Sequence, residues 1–406
     1  MSPAVKYLLS AKAIRERCSK VFEYVEKGHS SHFQLQLENL EPTAEFVRDI
    51  TLVNYPDLVI PFHGRKEHII CGDVDRFGHL RELCLRAGFG DEDYRRSALD
   101  LTVISVLLDA GAGRTWGYKE PGTNRLFQRS EGLAVASYHA FIQGAFSSNK
   151  KNPYQVDAAG LMHISSQTLG KHFQVSIENP LEGLEGRTQL LKNLGGLLEH
   201  SPFFPGKRLA GIFNSLQKHS AKNQLEAEIL LQEILTGFGA MWPGRLELDG
   251  YNLGDTWKHA ACKKSGDPTS ELVPFHKLSQ WLCYSLLEPL QDMGLTTVNV
   301  DKLTGLAEYR NGGLFTDNDV IVPKFDAAAT VLDVGSEAIV EWRALTVVLL
   351  DRLGDEVQKL LNKSSQELPL AKILQGGTWQ AGRMLAQKAR PDGSPPLRIK
   401  SDGTVF

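Results

Sequence analysis

The sequence lacks the marks of several protein classes. Its 406 residues include only five cysteines, and no two of them are spaced C-x-x-C. They are Cys18, Cys71, Cys84, Cys262 and Cys283. An odd number without this spacing is typical of a reducing compartment and of a chain without structural zinc. We therefore expect a cytoplasmic protein that holds no metal.

Long apolar runs and an excess of basic charge are also missing. The longest apolar run, Leu101–Leu108, is far shorter than the ~20 residues that span a bilayer. The N-terminal segment is charged and has no apolar core of the kind that a secretion signal needs. The net charge of −3 argues against a phosphate backbone as the partner. We expect contact with neither membranes nor nucleic acid.

Helical periodicity, by contrast, is abundant, and the length suits one large or two medium domains. The predicted helices are Ala11–Lys27, Ala44–Asn54, His79–Ala87, Arg95–Leu108, Gly132–Gln143, Ser166–Phe173, Gly186–Glu199, Lys207–Ser215, Gln224–Phe238, Phe275–Leu287, Lys302–Arg310, Glu337–Leu353, Ser364–Leu374 and Thr378–Ala389. The strand patterns are His32–Leu37, Glu247–Asp249, Val320–Val322 and Leu397–Ile399. Because the strands do not alternate with helices, a parallel α/β fold is disfavoured.

The pattern predicts a mainly α protein, a multi-helical bundle with a few short strands. We expect a helical region over residues 1–145, a helical catalytic region over 146–389 and an irregular tail over 390–406. These regions are expected to form one compact unit.

The segment Val106–Tyr118, VLLDAGAGRTWGY, has glycines like those that let backbone approach a nucleotide or S-adenosylmethionine. However, Ser97 and Asp100 could cap a preceding helix, and no second strand with a terminal acid follows. Three interpretations stay open. They are a buried helix that ends on left-handed glycines, a ligand-contacting turn in a helical enzyme, and a cofactor motif.

The segment Gln128–Phe141 is predicted to begin a helix, with Ser130 as its cap and Glu131 in its first turn. Its small residues favour a tightly packed core helix. Ser130 and Glu131 could alternatively face a ligand.

Carboxylates and a histidine crowd the glycine-rich segment Gly244–Ala261, which carries Asp249, Asp255, Trp257 and His259. Such a set suits sugar hydroxyls, which want bidentate acceptors, or a general base. The alternative is a solvated loop.

The next segment, Pro274–Leu290, has a polar stripe at Lys277, Gln280 and Tyr284 on an otherwise apolar helix. The stripe indicates a solvent-filled pocket on that side of the helix, in which Lys277 would bind a phosphate. The alternative is a partly exposed amphipathic helix.

Two C-terminal segments are dense in functional side chains. In LTGLAEYRNGG, glycines are expected to stop a helix, so that four side chains crowd its C-terminal end. These are Glu308, Tyr309, Arg310 and Asn311. In GSEAIVEWRALTV, Ser336 is expected to cap a helix that carries Glu337, Glu341 and Arg343. The alternatives are surface acids and ion pairs.

These segments resemble the queuosine-nucleotide N-glycosylases, whose fold is helical and similar to DNA glycosylases. Their motifs LT-x-F-A-D-Y-R, F-Y-K-R-A-Q and G-S-x-x-E-V-E-I-R-A have counterparts here in LTGLAEYR, FHKLSQ and GSEAIVEWRA. The likeness covers roughly the last third of the chain. Glu308 stands where that family has aspartate, and Ile339 replaces the first glutamate of the last motif.

The whole chain resembles a family of unassigned domains that contains uracil catabolism protein 4. The segments YPDLVIPFH, DRFGHLRELCLRAGFG, RSEGLAVASY, DGYNLGD and EYRNGGLF carry the likeness. The resemblance implies a pathway that opens the uracil ring while it is attached to ribose phosphate. A ribosylurea results, and this family is the candidate for separating urea from the sugar.

Together the resemblances imply hydrolysis of a C1′–N bond, without a cofactor, on a small-molecule ribosyl substrate. A carboxylate must stabilise an oxocarbenium-like transition state, and an acid must protonate urea. The implied catalytic residues are Glu308, Glu341, Asp249, Asp255 and His276. The implied substrate ligands are Lys277, Gln280, Tyr309, Arg310, Asn311, Arg343, His259, Trp257 and Glu131. Lys277, Arg310 and Arg343 would hold a phosphate, and His276 or His259 would supply the proton.

Two other functions stay open. The first is a nucleotide- or S-adenosylmethionine-dependent enzyme built on LDAGAG, which requires a Rossmann sheet. The second is a non-catalytic helical scaffold of the same pathway. The protein is expected to be a monomer or a homodimer.

Overall fold

Helices dominate the computed structural model, which describes residues 1–113, 115–242 and 244–400. The helices are α1 Pro3–Leu8, α2 Ala11–Glu26, α3 Leu40–Asn54, α4 Arg65–Ile69, α5 Arg76–Arg86, α6 Asp91–Leu107, α7 Arg129–Ile142, α8 Ala158–Met162, α9 Ser166–His172, α10 Leu184–His200, α11 Ile212–Gln217, α12 Ala227–Gly237, α13 Lys277–Asp292, α14 Tyr309–Asp317, α15 Glu337–Leu361, α16 Leu370–Ile373 and α17 Trp379–Ala389. A π-helical segment, Leu374–Thr378, joins α16 to α17. The predicted mainly α class is confirmed.

The strands are short. They are β1 Phe33–Leu35, β2 Gly117–Lys119, β3 Leu126–Gln128, β4 Gln224–Glu226, β5 Glu247–Leu248, β6 Tyr251–Asn252, β7 Thr256–Lys258, β8 Leu272–Pro274, β9 Thr296–Val298, β10 Ile321–Pro323, β11 Val331–Asp333 and β12 Arg398–Lys400. Each sheet in the described part has two strands. The antiparallel pairs are β1–β10, β2–β3, β5–β6 and β7–β8, and the parallel pairs are β4–β9 and β11–β12.

The chain forms two compact units, each assembled from distant parts of the sequence. Of the described residues, the first unit comprises 1–63, 244–280 and 299–400, and the second comprises 64–242 and 281–298. The predicted division into residues 1–145, 146–389 and 390–406 stays a prediction.

The core of the first unit lies where α2 and α15 meet around strand β8. Its buried side chains come from all three elements and from three connecting segments: Ile14, Cys18, Val21, Cys262, Val273, Phe275, Ala307, Val340, Ala344 and Val347. The spacing of Val340, Ala344 and Val347 puts them on one face of α15, as helical geometry requires. The core therefore fixes the first turns of α15, which carry Glu341 and Arg343, against β7 and β8.

In the second unit, α6 is buried along its last nine residues, Leu99–Leu107. The predicted caps Ser97 and Asp100 are wrong, because this helix begins earlier, at Asp91. Ser97 Oγ donates to the Tyr154 carbonyl at 2.5 Å, and Asp100 accepts from Arg208 Nε at 2.8 Å. Both side chains therefore serve packing inside the unit.

The LDAGAG segment follows a helix and not a strand. Arg187 is 2% exposed and donates to the carbonyls of Leu108, Ala110 and Gly111 at 3.1, 2.7 and 3.0 Å. The buried Arg187 guanidinium thus donates hydrogen bonds to the backbone carbonyls of this turn. The buried helix is confirmed, but it ends at Leu107 with Leu108 as its C-cap, and Gly113, with a positive φ of +85°, lies six residues beyond that end. Since no described sheet exceeds two strands, the interpretation as a Rossmann cofactor motif fails. Arg114 lies outside the described residues.

The predicted helix Lys302–Arg310 is wrong. Residues 304–307 are irregular, and their backbone groups are satisfied by side chains. Gln280 Oε1 accepts from Thr304 N at 3.1 Å, and the carbonyls of Leu306 and Ala307 accept from Asn311 and Arg343. The helix starts only at Tyr309, so Gly312 and Gly313 lie inside α14 and do not stop it.

Other helix starts also differ from expectation. Ser130 does not cap α7, which begins at Arg129; its hydroxyl donates to Asp109 at 3.2 Å. Ser336 is the N-cap residue of α15, but its side chain makes no capping bond. The predicted helices Lys207–Ser215, Gln224–Phe238 and Ser364–Leu374 start late, at Ile212, Ala227 and Leu370. None of the helices in the described part is long and apolar enough to cross a membrane.

Candidate active site

Glu308 is the N-cap of α14, and its carboxylate is fixed by the start of that helix. Oε2 accepts from Arg310 N and Oε1 from Asn311 N, both at 2.7 Å, and the residue is only 8% exposed. Burial raises the pKa of the carboxyl above its ordinary 4.5, although the two N–H donors and the charges of Lys277 and Arg310 oppose this. The helix start therefore holds a nearly buried carboxylate in one orientation.

Asp255 forms a two-pronged ion pair with Arg343 of α15. The two guanidinium N–H groups reach the two carboxylate oxygens at 2.7 Å each. Trp257 Nε1 and Lys277 N also donate to Asp255, at 2.7 and 3.1 Å. Burial acts to raise the pKa of Asp255, but the Arg343 charge and these hydrogen bonds outweigh it and hold the pKa well below its ordinary value. Asp255 is therefore ionised, and both of its carboxylate oxygens accept hydrogen bonds.

Arg343 links this ion pair to the Glu308 segment. Its Nε donates to the Ala307 carbonyl at 3.3 Å, and its guanidinium stacks 4.1 Å from the centre of the Phe275 ring. Lys277 is the first residue of α13 and is half-buried. Its positive charge acts to lower the pKa of Glu308. Glu308, Lys277, Asp255 and Arg343 thus make one charged cluster, which we call the Glu308 cluster.

A second pair lies further along the same strand. His259 Nε2 is 3.9 Å from Glu341 Oε2, and both side chains are 1% exposed. Asp255 directly precedes β7 and His259 directly follows it. On α15, Glu341 and Arg343 point about 200° apart around the helix axis. Six of the predicted residues thus form two polar groups of the first unit, the Glu308 cluster and the His259–Glu341 pair.

The positions of two predicted catalytic residues, Asp249 and His276, are explained by a hairpin turn and by a hydrogen bond. Asp249 is exposed in the tight turn between β5 and β6, where Asp249 and Gly250 both have positive φ (51° and 76°). Asp-Gly is a preferred pair for this hairpin turn. His276 is 1% exposed and its Nε2 donates to the Leu8 carbonyl at 2.9 Å, while burial lowers its pKa. The charges of Asp255 and Arg343 act on His276, but the His276 Nε2–H is already used by the Leu8 carbonyl.

The predicted substrate ligands take several positions. Asn311 is buried; its Nδ2 donates to the Leu306 carbonyl and its Oδ1 accepts from Thr378 Oγ1 at 2.9 Å. Gln280 bonds Thr304 through both amide atoms. Arg310 donates to the Gly393 carbonyl at 3.0 Å and lies over the Tyr309 ring. Glu131 lies in the first turn of α7, in the second unit.

Sequence reasoning missed Thr304 and Thr378. Both are fully buried and hold Gln280 and Asn311, which flank the Glu308 segment. In the structure, Thr378 ends the π-helical segment LQGGT, and π-helical turns are frequent at functional sites. The sequence itself carried no comparable signal for either threonine. No group of three or more His, Cys, Asp or Glu side chains in the described ranges is arranged to hold a metal ion.

These features define a mainly α protein with a buried, charge-rich cluster at a helix start. The chain belongs to a family described as "Protein of unknown function (DUF1688)", whose sequence model matches residues 7–406. It is 40% identical over 437 residues to uracil catabolism protein 4 of Lachancea kluyveri, with 99% of each chain covered. It is also 40% identical over 409 residues to protein urg3 of Schizosaccharomyces pombe, again with 99% of each covered.

Proposed function

We propose that this protein acts in uracil catabolism as a hydrolase that cleaves the C1′–N bond of ribosylurea or its 5-phosphate. The name of the Lachancea kluyveri relative supports the pathway. The observation that carries the reaction is the Glu308 carboxylate, which two backbone N–H groups fix at 2.7 Å in a nearly buried position. Cleavage of a glycosyl bond needs such a carboxylate beside the carbon that becomes positive.

In the proposed reaction, the C1′–N bond breaks, water adds a hydroxyl to C1′, and the urea nitrogen takes up a proton. Glu308 stabilises the positive charge that develops at C1′, either electrostatically or by direct attack. Asp255 and Arg343 bind each other, so this pair shapes the site, and the charges of Lys277 and Arg310 act on Glu308.

The proton for urea has few sources among the predicted donors. His276 already gives its Nε2–H to the Leu8 carbonyl. His259 Nδ1 accepts from Ala261 N at 3.0 Å, so its ring hydrogen is on Nε2, which faces Glu341 and not the Glu308 cluster. We therefore assign either the proton or the phosphate contact to Lys277.

Lys277→Gln distinguishes these two tasks. If Lys277 binds the 5-phosphate, the variant loses far more kcat/KM on the phosphorylated substrate than on ribosylurea. If it protonates urea, the loss is the same on both substrates, about 10²- to 10⁴-fold. Lys302→Gln is a suitable control, and unchanged kcat/KM of Lys277→Gln on both substrates contradicts both tasks.

The direct test is incubation of the pure protein with ribosylurea and, separately, with its 5-phosphate. We expect intact urea and the free sugar from at least one of them. Urea from neither at high protein concentration would overturn the proposal. Ammonia in place of urea would instead place the cleavage at the urea carbonyl.

A further inference from the structure

His259 and Glu341 face each other as two buried polar side chains of the first unit, with a gap between them. Nε2 and Oε2 are 3.9 Å apart, too far for a direct hydrogen bond. Within the described residues, His259 Nε2 and Glu341 Oε1 have no hydrogen-bond partner. Because buried polar atoms are nearly always paired, this arrangement indicates a ligand atom that both side chains contact.

The surroundings fix the chemistry of the His259 ring. Nδ1 accepts from Ala261 N at 3.0 Å, so the ring hydrogen is on Nε2 and points toward Glu341. The adjoining Ala260 N donates to Glu337 Oε1 at 2.9 Å, which holds the same turn against α15. Tyr24 packs edge-on against the ring, with the ring centres 5.9 Å apart. The donor is therefore held in one direction.

The ligand must accept a hydrogen bond from Nε2 and donate one to the carboxylate. A phosphate oxygen has no proton to donate and is repelled by Glu341. An ether or carbonyl oxygen cannot donate, and an ammonium cannot accept. A hydroxyl does both. One oxygen with two hydrogen bonds of about 2.8 Å, meeting at about 90°, spans the gap.

We propose that His259 and Glu341 form a binding site for one hydroxyl group, supplied by a water molecule or by a sugar. The two sources share the same hydrogen-bond pattern. The site itself does not depend on the proposed hydrolase function, whereas its use by a sugar rests on that function.

A crystal structure of the protein, alone and soaked with D-ribose, tests the site. We expect an oxygen within about 3 Å of both His259 Nε2 and Glu341. Water gives this oxygen without ribose, and a sugar places its own hydroxyl there after soaking. Direct contact of Nε2 with the carboxylate at about 2.8 Å, with no oxygen between them, would overturn the proposal.

Calorimetric titration with D-ribose then separates the two sources. If the sugar supplies the hydroxyl, Glu341→Gln weakens ribose binding about tenfold, because a hydrogen bond to a charged acceptor is lost. If water supplies it, the affinity for ribose is unchanged while the water stays visible. Glu356→Gln, about four turns later on α15 and 37% exposed, is the control. An occupied site in a protein that releases no urea would refute only the hydrolase function.

Discussion

At the scale of single residues, Glu308 combines two tasks on one carboxylate. It caps α14, which satisfies two backbone donors, and the same bonds fix the orientation that we propose for catalysis. Because the helix start supplies the donors, the charge needs no reorganisation during the reaction. This is the condition under which electrostatic stabilisation of a transition state is effective.

The raised pKa of Glu308 predicts how activity depends on pH. The carboxyl must be ionised to stabilise a positive C1′, so kcat/KM is expected to rise with pH through an apparent pKa above 4.5. The measurement is urea release from about pH 4 to 8, with circular dichroism to verify folding at each point. An acid limb that persists unchanged in Glu308→Gln contradicts this assignment.

The Asp255–Arg343 pair predicts a different dependence, that of stability. The pKa of Asp255 is lowered in the folded state, so its contribution is complete above its unfolded pKa of about 3.9 and is lost as pH falls below it. Asp255→Asn should lower the free energy of unfolding at pH 7 by about 3 kcal/mol. The difference from the wild type should shrink below about pH 4 in denaturant titrations.

A matched control for this prediction is Asp49→Asn. Asp49 also pairs with an arginine, Arg48, but its side chain is 63% exposed. We expect a change within about 0.5 kcal/mol, because exposed ion pairs contribute little. Equal losses for the two variants would contradict a special role for the buried pair.

Residue types and motif order placed the four charged residues of the Glu308 cluster, Asp255, Lys277, Glu308 and Arg343, among the fourteen predicted site residues. Which of the other polar side chains join them was not predictable. Asp249 lies outside the Glu308 cluster because it sits in a tight hairpin turn with positive φ. His276 uses its Nε2–H on the Leu8 carbonyl, which is distant in the sequence. The Asp249–Gly250 pair is a local hairpin signal that the sequence analysis did not use. The hydrogen bond of His276 to Leu8 is a tertiary contact that no local pattern contains.

At the scale of elements, the start of α14 was predicted wrongly. The apolar residues Leu303, Leu306 and Ala307 have helical spacing, yet they belong to an irregular segment that side chains of other elements hold. The cap itself is a glutamate, whereas serine, threonine, aspartate and asparagine are preferred there. A local pattern therefore had little chance of finding this helix start.

Gly312 allows α14 to approach α15 closely. A Cβ at this position would lie 2.5 Å from the Trp342 ring. Gly312→Ala should therefore destabilise the protein by about 1 to 3 kcal/mol through overpacking. Thermal unfolding measures this. Gly196→Ala in α10, where a Cβ has no atom within 4 Å, should instead raise stability by up to about 1 kcal/mol. Stabilisation by both variants would contradict the close packing.

At the scale of the whole molecule, neither compact unit is a continuous stretch of chain. Residues 1–63 supply Ile14, Cys18 and Val21 to a core whose other side chains come from beyond residue 244. Helical periodicity predicted the helices and the mainly α class, since these follow from local spacing. The assembly of each unit from distant segments has no local pattern and could not be predicted.

This assembly predicts that a chain of residues 64–406 fails to fold its first unit. Removal of α2 exposes the core face of α15, at Val340, Ala344 and Val347. We expect weaker helical circular dichroism per residue than for the whole chain, and binding of a dye that reports exposed apolar surface. Cooperative unfolding with the full-length helix signal would contradict the described core.

The central claim is that Glu308 serves the cleavage of a ribosyl–urea bond. Its most direct test compares urea release by the wild type, Glu308→Gln and Asp157→Asn. Asp157 is a matched control, since it is also a buried N-cap carboxylate, 9% exposed and bound to Gly160 N at 2.8 Å. We predict that Glu308→Gln stays folded but loses about 10²- to 10⁴-fold in kcat, while Asp157→Asn retains wild-type turnover. Wild-type urea release by folded Glu308→Gln would contradict the account.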